Sequence, residues 1–255
     1  MDSNLIKIWS ENFAEKRKLD EEFFSYIFRI IKNDINKDGN KWLDIGCGDG
    51  RILIPLAIKF FHTYFYGIDI NKIMIKGLNK ILRKSGIKNV TTKLQSADNF
   101  LKNCPKYNVI SFFQSIHFFN LRMILNKVCR RLQRNGYIII ATTTHKQFKS
   151  IPYSKNKFIY ATEIKRTPDW NSIVQKLKIK KVKLIARRDF TVFKPFNNSS
   201  ELKNFLLALP YSAFTCLDDM IRSVVIEEII KKFKSKKNFK FMLDKFRIGI
   251  FKLYE

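Results

Sequence analysis

The sequence has only four cysteines, nine glycines and six prolines, and it contains no long apolar run. The cysteines are scattered, with no C-x-x-C pair and no histidine at metal-ligand spacing, which argues against a zinc site and against a disulfide framework. No apolar run approaches the roughly 18 residues of a membrane span, and the first residues lack the basic-then-apolar order of a secretion signal. We therefore expect a cytoplasmic protein with reduced thiols, no metal and no membrane partner.

Acidic residues are scarce as well, with 22 against 49 basic residues and a formal net charge of +27. One interpretation is a nucleic-acid binding surface, supported by basic clusters at 176–188 and 231–240. The other is codon bias, because 36 of the basic residues are lysine and the abundant Lys, Phe, Ile and Asn all have A/T-rich codons. Arginine is the better reader of phosphates and bases, and it contributes only 13. Nucleic acid is therefore the less favoured partner, after a small molecule.

The most informative stretch is KWLDIGCGDGRILIPLA, which begins at Lys41. It predicts a short strand, a turn containing Gly46, Gly48 and Gly50, and then a helix. Such a turn is expected to aim free backbone N–H groups and the positive end of a helix dipole at a ligand, which favours an anionic or zwitterionic one. It is neither a P-loop, which needs Gly-Lys-Ser/Thr, nor the dinucleotide fingerprint, because Arg51 stands where that fingerprint has glycine.

Strand-like and helix-like runs alternate along the chain, which predicts an α/β fold with a largely parallel sheet covered by helices. Five strand-helix repeats fill residues 41–143, and the tetrapeptide QRNG at 133–136 is predicted to be a turn before the fifth strand. The C-terminal third is predicted to contain a helix at 170–178, a strand within 182–193, helices near 200–209 and 218–234, and a last strand at 246–254.

Two aspartates follow predicted strands, where ligands of open α/β sheets bind. Asp69 ends the second strand, 21 residues after Gly48, where a carboxylate can accept hydrogen bonds from both hydroxyls of a ribose. Asp98, just past the third strand, can accept a hydrogen bond from an adenine amino group, with Ala97 and Phe100 offering apolar surface to the ring. An aspartate at a strand end is also a common helix N-cap, and for Asp98 this alternative stays open.

These motifs resemble those of class I S-adenosylmethionine-dependent methyltransferases, specifically the group similar to trans-aconitate methyltransferase. The resemblance covers about residues 10–143 and is carried by LDIGCGDG, YGIDIN, SADNF, YNVISFFQSIHFF and LQRNGYIIIAT. It implies a Rossmann-like, mostly parallel seven-stranded sheet with helices on both faces and a helical cap between the last two strands. Residues 1–193 and 244–255 would form the core, and residues 194–243 the cap. The implied cofactor is S-adenosyl-L-methionine, with S-adenosyl-L-homocysteine as product and no metal.

The resemblance also assigns the site residue by residue. The methionine part of the cofactor would lie against the glycine turn, the ribose on Asp69, and the adenine beside Ala97 and Asp98 with Ile70 against its face. Asn108 departs from the family, which has aspartate at this largely structural position, and Phe13 replaces a tyrosine near Arg17. The complete cofactor-binding set is Arg17, Asp44, Gly46, Cys47, Gly48, Asp69, Ile70, Ala97, Asp98 and Gln114.

His117 is the candidate catalytic residue, because it follows the fourth strand and its ordinary pKa permits proton exchange near neutrality. The alternative is a histidine that bonds to backbone and shapes the loop. The favoured function is methyl transfer to an oxygen, a carboxylate or hydroxyl, of a small-molecule metabolite or natural-product intermediate. The alternatives are a methyltransferase that acts on RNA or a peptide through its basic surface, and a protein that binds S-adenosylmethionine without catalysis. FFQS at 112–115 lacks the Asp/Asn-Pro-Pro-Tyr/Phe motif of amino-directed nucleic-acid enzymes.

Overall fold

The computed structural model describes residues 21–208 and 219–254. Its α-helices are α1 (Glu21–Ile35), α2 (Leu53–Lys59), α3 (Lys72–Lys84), α4 (Ala97–Phe100), α5 (Leu121–Arg130), α6 (His145–Lys149), α7 (Lys157–Glu163), α8 (Trp170–Lys178), α9 (Ser199–Leu207) and α10 (Asp219–Lys231). The strands are β1 (Lys41–Ile45), β2 (Tyr64–Asp69), β3 (Val90–Leu94), β4 (Tyr107–Phe113), β5 (Leu132–Thr142), β6 (Val182–Phe196) and β7 (Phe239–Leu253). Short 3-10 helices occupy Ile116–Phe118 and Pro152–Lys155.

The seven strands form one sheet in the order β3-β2-β1-β4-β5-β7-β6. The pairs from β3 to β5 are parallel, and β7 runs antiparallel to β5. The central strands β1 and β4 are almost entirely buried, which is typical of a parallel sheet with helices on both faces. The predicted mostly parallel, Rossmann-like α/β fold is confirmed, as are the two helices between the last two strands.

Polar side chains begin several helices at the carboxyl edge of the sheet, where parallel strands end. The Asn71 side chain accepts hydrogen bonds from the backbone N–H groups of Ile73 and Met74 at the start of α3. Asn120 starts α5 in the same way. Each cap satisfies donors that the helix leaves unpaired, so α3 begins directly after the tip of β2, and α5 begins after the short 3-10 helix that follows β4.

The chain divides into two compact units. One comprises residues 21–142, 168–189 and 247–254, and contains the sheet core around Leu43, Ile110 and Ile138. The other comprises, of the described residues, 143–167, 190–208 and 219–246, and has its own apolar cluster that includes Phe196 and Phe241. This second unit is larger than the expected 194–243 cap, because residues such as Tyr153 and Ile159 share its core.

The end of the predicted fourth repeat differs from the prediction. QRNG was expected to be a turn, but the structure includes it in β5, which begins at Leu132. The pairing of β5 with β4 shifts register between Tyr107 and Val109, and Asn135 has a φ of 57°. The left-handed residue bends the strand without ending it, so the turn chemistry produces an irregularity inside β5. The last strand is also longer than predicted, since it starts at Phe239.

Candidate functional site

The glycine turn after β1 needs glycine for two different reasons. Gly46, Gly48 and Gly50 all have positive φ values, of +75°, +55° and +80°, where side chains other than glycine are disfavoured. A Cβ on Gly46 would also lie 2.6 Å from the Cβ of Ser115, whereas one on Gly48 would meet nothing within 4 Å. Gly46 therefore permits close approach between the turn and the end of β4, and Gly48 permits the backbone conformation alone.

The backbone N–H groups of the turn bond within the protein. Those of Gly46 and Cys47 donate to the carbonyl oxygen of Ile68, at 2.8 and 3.1 Å, and that of Gly48 donates to Oδ2 of Asp69 at 2.9 Å. The expectation of free N–H groups aimed at a ligand is therefore wrong, because the turn crosses the tip of β2 and uses its donors there. The site favours a ligand that brings donors of its own, such as hydroxyls or an ammonium group.

Asp69 lies at the tip of β2 with both carboxylate oxygens anchored. Oδ1 accepts a hydrogen bond from the backbone N–H of Asn71 at 2.8 Å, while Oδ2 accepts the one from Gly48. Each oxygen has a second lone pair, so the carboxylate can still accept bonds from two neighbouring hydroxyls. The next residue, Ile70, is 76% exposed, and its apolar side chain beside an acceptor suits a flat ring.

Asp44 lies beneath the turn and is only 2% exposed. Its Oδ1 accepts a hydrogen bond from Ser111 Oγ at 2.8 Å, and Ser111 Oγ accepts one from Trp42 Nε1 at 2.8 Å. Burial raises the pKa of Asp44 to about 7, helped by the negative charge of Asp69 and opposed by the Ser111 hydrogen bond. A nearby cationic ligand would favour the ionised form of this carboxyl.

The segment after β3 holds the two residues expected near an adenine ring. Ser96 Oγ accepts the backbone N–H of Asn99 and caps α4, so the alternative that Asp98 is the N-cap is wrong. Asp98 stands in the first turn of α4, and its Oδ1 lies 2.5 Å from Nζ of Lys127 on α5. Ala97 is buried, and the adenine contact of both residues stays a prediction.

The end of β4 is tied to the glycine turn. Gln114 has a φ of 55°, and its backbone N–H donates to the carbonyl oxygen of Ala141 at 2.7 Å. Ser115 Oγ donates to the carbonyl oxygen of Ile45 at 2.5 Å, directly before Gly46. His117 follows on the 3-10 helix and is half-buried, with its ring centroid 4.0 Å from that of Phe118.

The structure thus places Asp44, the glycine turn and the Asp69, Asp98 and His117 segments at the carboxyl edge of the parallel strands, in one compact unit. Arg17 and Phe13 lie outside the described residues. Sequence reasoning missed Ser111, which pairs in register with Asp44, and Lys127, which lies 29 residues from Asp98. Neither residue belongs to a recognisable motif, so only the pairing of β1 with β4 and the packing of α5 reveal them.

Asn108 replaces the aspartate expected at the start of the fourth strand. Its Oδ1 accepts a hydrogen bond from the backbone N–H of Lys41 at 2.9 Å and so joins β4 to the start of β1. An asparagine provides the same acceptor as an aspartate for this bond. The replacement therefore preserves a structural contact.

Cysteines and other metal-binding side chains form no cluster in the described part of the chain. No group of three His, Cys, Asp or Glu residues there could hold a metal ion. Cys47, Cys104 and Cys129 are free thiols, and burial raises the pKa of Cys47 well above its usual range. Cys47 is therefore a packing residue of the glycine turn with little thiolate character. No helix among the described residues is long and apolar enough to cross a membrane.

A glycine turn that bonds to an acidic strand tip, on a seven-stranded sheet in this order, defines a class I S-adenosylmethionine-dependent methyltransferase. Residues 36–188 match the family described as Methyltransferase domain, and the chain belongs to it. It is 26% identical over 228 residues to a ubiquinone biosynthesis O-methyltransferase of Rickettsia prowazekii, covering 85% of this chain and 87% of that protein. It is 25% identical over 172 residues to a tRNA (guanine-N(7)-)-methyltransferase of Prochlorococcus marinus, covering 60% and 82%.

Solved structures have the same fold. A SAM-dependent methyltransferase from Geobacter sulfurreducens, in complex with S-adenosyl-L-homocysteine, matches with a TM-score of 0.60 and 12% identity over 98% of each chain. Several other curated relatives are matched over less than two thirds of their own length, between 23% and 56%. The fold, the enzyme class and the cofactor are thus defined, and the trans-aconitate-like subgroup stays a prediction.

The residues present fit S-adenosylmethionine. Asp69 supplies an anchored acceptor for ribose hydroxyls, and the exposed Ile70 supplies an apolar surface for adenine. The buried Asp44, once ionised, would place a negative charge close to the turn that would hold the cationic methionine end. The bound cofactor supplies an activated methyl group on its sulfonium, so the protein's task is to align an acceptor and exclude water.

Proposed function

We propose that this methyltransferase transfers its methyl group to an oxygen of a small molecule, a hydroxyl or carboxylate of a metabolite or natural-product intermediate, with His117 as the general base for a hydroxyl. The observation that carries the proposal is the position of His117. It lies two residues beyond Ser115, whose side chain bonds to the residue before the glycine turn. The Ser115–Ile45 hydrogen bond therefore ties the segment that carries the base to the turn that would bind the cofactor.

The surroundings of His117 support an apolar acceptor. Phe118 is 71% exposed, and its ring is tilted against the imidazole. An exposed ring beside a base provides a contact surface for an aromatic or otherwise apolar small molecule. A hydroxyl positioned there could lose its proton to the imidazole as the oxygen attacks the methyl group, whereas a carboxylate would need no base.

The relatives and the β4 tip support an oxygen acceptor over a nucleic-acid amine. The Rickettsia prowazekii relative, which is matched over most of both chains, carries the name of an O-methyltransferase. The tip Phe112–Ser115 lacks the motif that grips an exocyclic amine. The second candidate is an RNA or peptide substrate. It is supported by the high net charge and by the name of the tRNA methyltransferase relative.

The test compares wild-type protein with His117→Ala and His117→Gln, using radiolabelled S-adenosylmethionine and a panel of small phenols and carboxylic acids. For a hydroxyl acceptor we expect kcat to fall about 10²- to 10⁴-fold, as for loss of a general base. The affinity for S-adenosylhomocysteine should stay unchanged, and the acidic limb of the kcat pH profile should disappear. His62→Ala, which alters an exposed histidine just before the amino end of β2, is the control, and His145→Ala tests the weaker candidate base that follows β5.

Two outcomes would overturn the proposal. Full activity of both His117 variants on phenols, with a lowered melting temperature, would indicate that the histidine only shapes its loop. Turnover of total RNA in the absence of any small-molecule turnover would assign the enzyme to the second candidate. The cytoplasmic location, the role of residues 194–243 as a cap, and the cofactor contacts of the individual residues are part of the same proposal.

A further inference from the structure

We propose that the β3 edge of the sheet carries a binding surface for single-stranded RNA. We call this surface the aromatic face and define it as Tyr64 and Tyr66 of β2, Thr91 and Lys93 of β3, and Phe100 of α4. The inference depends on neither His117 nor the nature of the methyl acceptor. It goes beyond the proposed function, because it assigns a ligand to a surface that methyl transfer to a small molecule does not need.

The rings of the aromatic face form a row in which one buried ring connects the partly exposed ones. Tyr64 and Tyr66 are two residues apart on β2 and therefore point to the same side of the sheet, with ring centroids 5.3 Å apart. Tyr107, which is only 1% exposed, lies in the core beneath the face, with its ring centroid 5.6 Å from that of Tyr66 and 6.5 Å from that of Phe100. The row therefore runs from the amino end of β2 to α4, which also holds the expected adenine contacts.

Tyr64, Tyr66 and Phe100 are the accessible rings of the row, and they are bordered by a cationic group and a polar group. Tyr64 is 40% exposed, and its hydroxyl lies 3.1 Å from Thr91 Oγ1 on the edge strand. Lys93 Nζ lies 5.8 Å from the centroid of the Phe100 ring. Between β3 and β4, the part of the chain that the structure describes contributes only the four-residue helix α4. Partly exposed rings with a basic side chain beside them are the combination by which proteins stack bases and hold phosphates of single strands.

The distribution of acidic residues supports an anionic ligand. Residues 50–142 contain 16 lysines and arginines but only two acidic residues, although the chain has 22 acidic residues in all. Asp69 bonds to two backbone N–H groups, and Asp98 pairs with Lys127. Codon bias explains many lysines, but it does not explain why carboxylates are so rare in this segment, because aspartate and glutamate codons are also rich in A and T. The excess of lysine and arginine over carboxylates in residues 50–142 therefore gives this part of the chain a positive electrostatic potential.

Other occupants fit the aromatic face less well. A second copy of the chain, packed symmetrically through this face, would bring a second Lys93 to the interface, with no carboxylate of the face to pair with either lysine. A membrane surface is bound by apolar side chains that project from an amphipathic helix. Tyr66 and Phe100 instead pack against the sheet core and present the faces and edges of half-buried rings. Flat bases joined by phosphates match both features.

The test is fluorescence anisotropy with a fluorescein-labelled 20-nucleotide single-stranded RNA, titrated with full-length protein at several salt concentrations. We expect Tyr64→Ala to weaken binding about 5- to 100-fold, the effect of losing one stacked base. We expect Lys93→Gln to reduce the slope of log affinity against log salt by about 0.7, the effect of losing one phosphate contact on a single strand.

The matched control is Tyr254→Ala with Lys183→Gln. Tyr254 is also 40% exposed, and Lys183 Nζ lies 5.2 Å from the centroid of its ring. The control therefore removes an equally exposed tyrosine and one lysine, but away from the aromatic face and outside the acid-poor segment. It should leave RNA affinity within about twofold of wild type. Circular dichroism and calorimetric binding of S-adenosylhomocysteine verify that each variant is folded, and the latter measures the cofactor site separately.

The outcomes separate the possibilities. Selective weakening by Tyr64→Ala and Lys93→Gln supports the inference. Equal weakening by the control variant would overturn it, because binding would then come from diffuse net charge. The inference would also fail if neither variant changed RNA affinity, or if vesicles containing anionic lipid bound and showed the same loss with Tyr64→Ala while RNA did not. None of these results changes the test of His117 on small acceptors.

Discussion

At the scale of single residues, the buried Asp44 links stability to pH. Burial raises the pKa of Asp44 in the folded protein to about 7, against an ordinary value of 3.8. The folded state therefore keeps a proton that the unfolded chain has already lost, so the contribution of this group to stability falls as pH rises from about 4 to about 7. Above that window the contribution is constant, because both states are ionised.

Asp44→Asn should remove this slope, since an amide oxygen can still accept the Ser111 hydrogen bond but cannot ionise. We expect the unfolding free energy of Asp44→Asn, relative to wild type, to rise by about 2 to 4 kcal/mol between pH 4 and pH 8. Urea denaturation at four pH values would measure it. Parallel pH profiles of the two proteins would mean that the carboxyl is ionised in the folded state throughout.

Asp69→Ala should weaken binding of S-adenosylhomocysteine by about 1 to 3 kcal/mol, the scale of losing hydrogen bonds to a charged group. The substitution also leaves the backbone N–H groups of Gly48 and Asn71 without their acceptor. Asp69→Asn keeps one acceptor oxygen and should lose less. Calorimetry on the three proteins checks this order, and equal affinity of wild type and Asp69→Ala would exclude a ribose contact.

The sequence predicted single residues well where a motif fixed their place, and poorly where another strand decided their partners. The positions of Asp69 and Ile70 at the tip of β2 follow from the spacing after the glycine turn. The bonds from the turn to Ile68 and Asp69 do not, because they depend on how β1 and β2 pair. The same limit applies to Asp98, whose N-cap alternative failed because Ser96, two residues earlier, caps α4.

At the scale of elements, the glycine turn and the end of β4 act together. Gly46→Ala should destabilise the protein more than Gly48→Ala. Both place alanine at positive φ, at about 1 to 2 kcal/mol, but only the first forces a Cβ against Ser115. Ser115→Gly removes the opposing Cβ, so Gly46→Ala with Ser115→Gly should recover the excess loss. Chemical denaturation of these variants measures the coupling.

Additive effects of the two substitutions would contradict this account, because residues in contact should be coupled. The single variant Ser115→Gly is the necessary reference, since it also removes the hydrogen bond to Ile45. The comparison with Gly48→Ala isolates the backbone strain from the steric contact. Binding of S-adenosylhomocysteine to the same variants would report whether the shape of the turn, beyond its stability, depends on this contact.

Elements with strong local signals were predictable, and those shaped by pairing were not. The predicted helix at 170–178 is observed as α8 with the same bounds, because Asp169 caps it and its apolar residues repeat at helical spacing. QRNG contains turn-forming residues, yet it lies inside β5. There the neighbouring strand β4 accommodates the left-handed Asn135 through a register shift. The register passes from Leu132 opposite Tyr107 to Tyr137 opposite Val109, so QRNG keeps its turn-forming character as a bulge within the strand.

At the scale of the whole molecule, alternation of strands and helices was sufficient to predict the mostly parallel sheet. It was not sufficient to assign residues 143–167, which follow β5 and group with residues 190–246. The reason is that their apolar residues, such as Phe148 and Ile159, pack with Phe205 and Ile226, far away in sequence. A pattern of short helices carries no information on which distant cluster they join.

The net charge of +27 makes a prediction for the whole chain. Unbalanced like charges repel in the folded state, and salt screens them, with a Debye length that falls from about 30 Å at 10 mM to about 10 Å at 100 mM. We expect the melting temperature to rise by roughly 2 to 8 °C over this range, which corresponds to about 1 to 2 kcal/mol. Calorimetry in sodium chloride and in sodium sulfate at equal ionic strength measures the effect.

Equal shifts of the melting temperature in the two salts indicate screening, and a larger shift in sulfate indicates anions bound at specific sites. A constant melting temperature would mean that the basic residues are too widely spaced to repel, and would weaken the case for a concentrated positive field on the core.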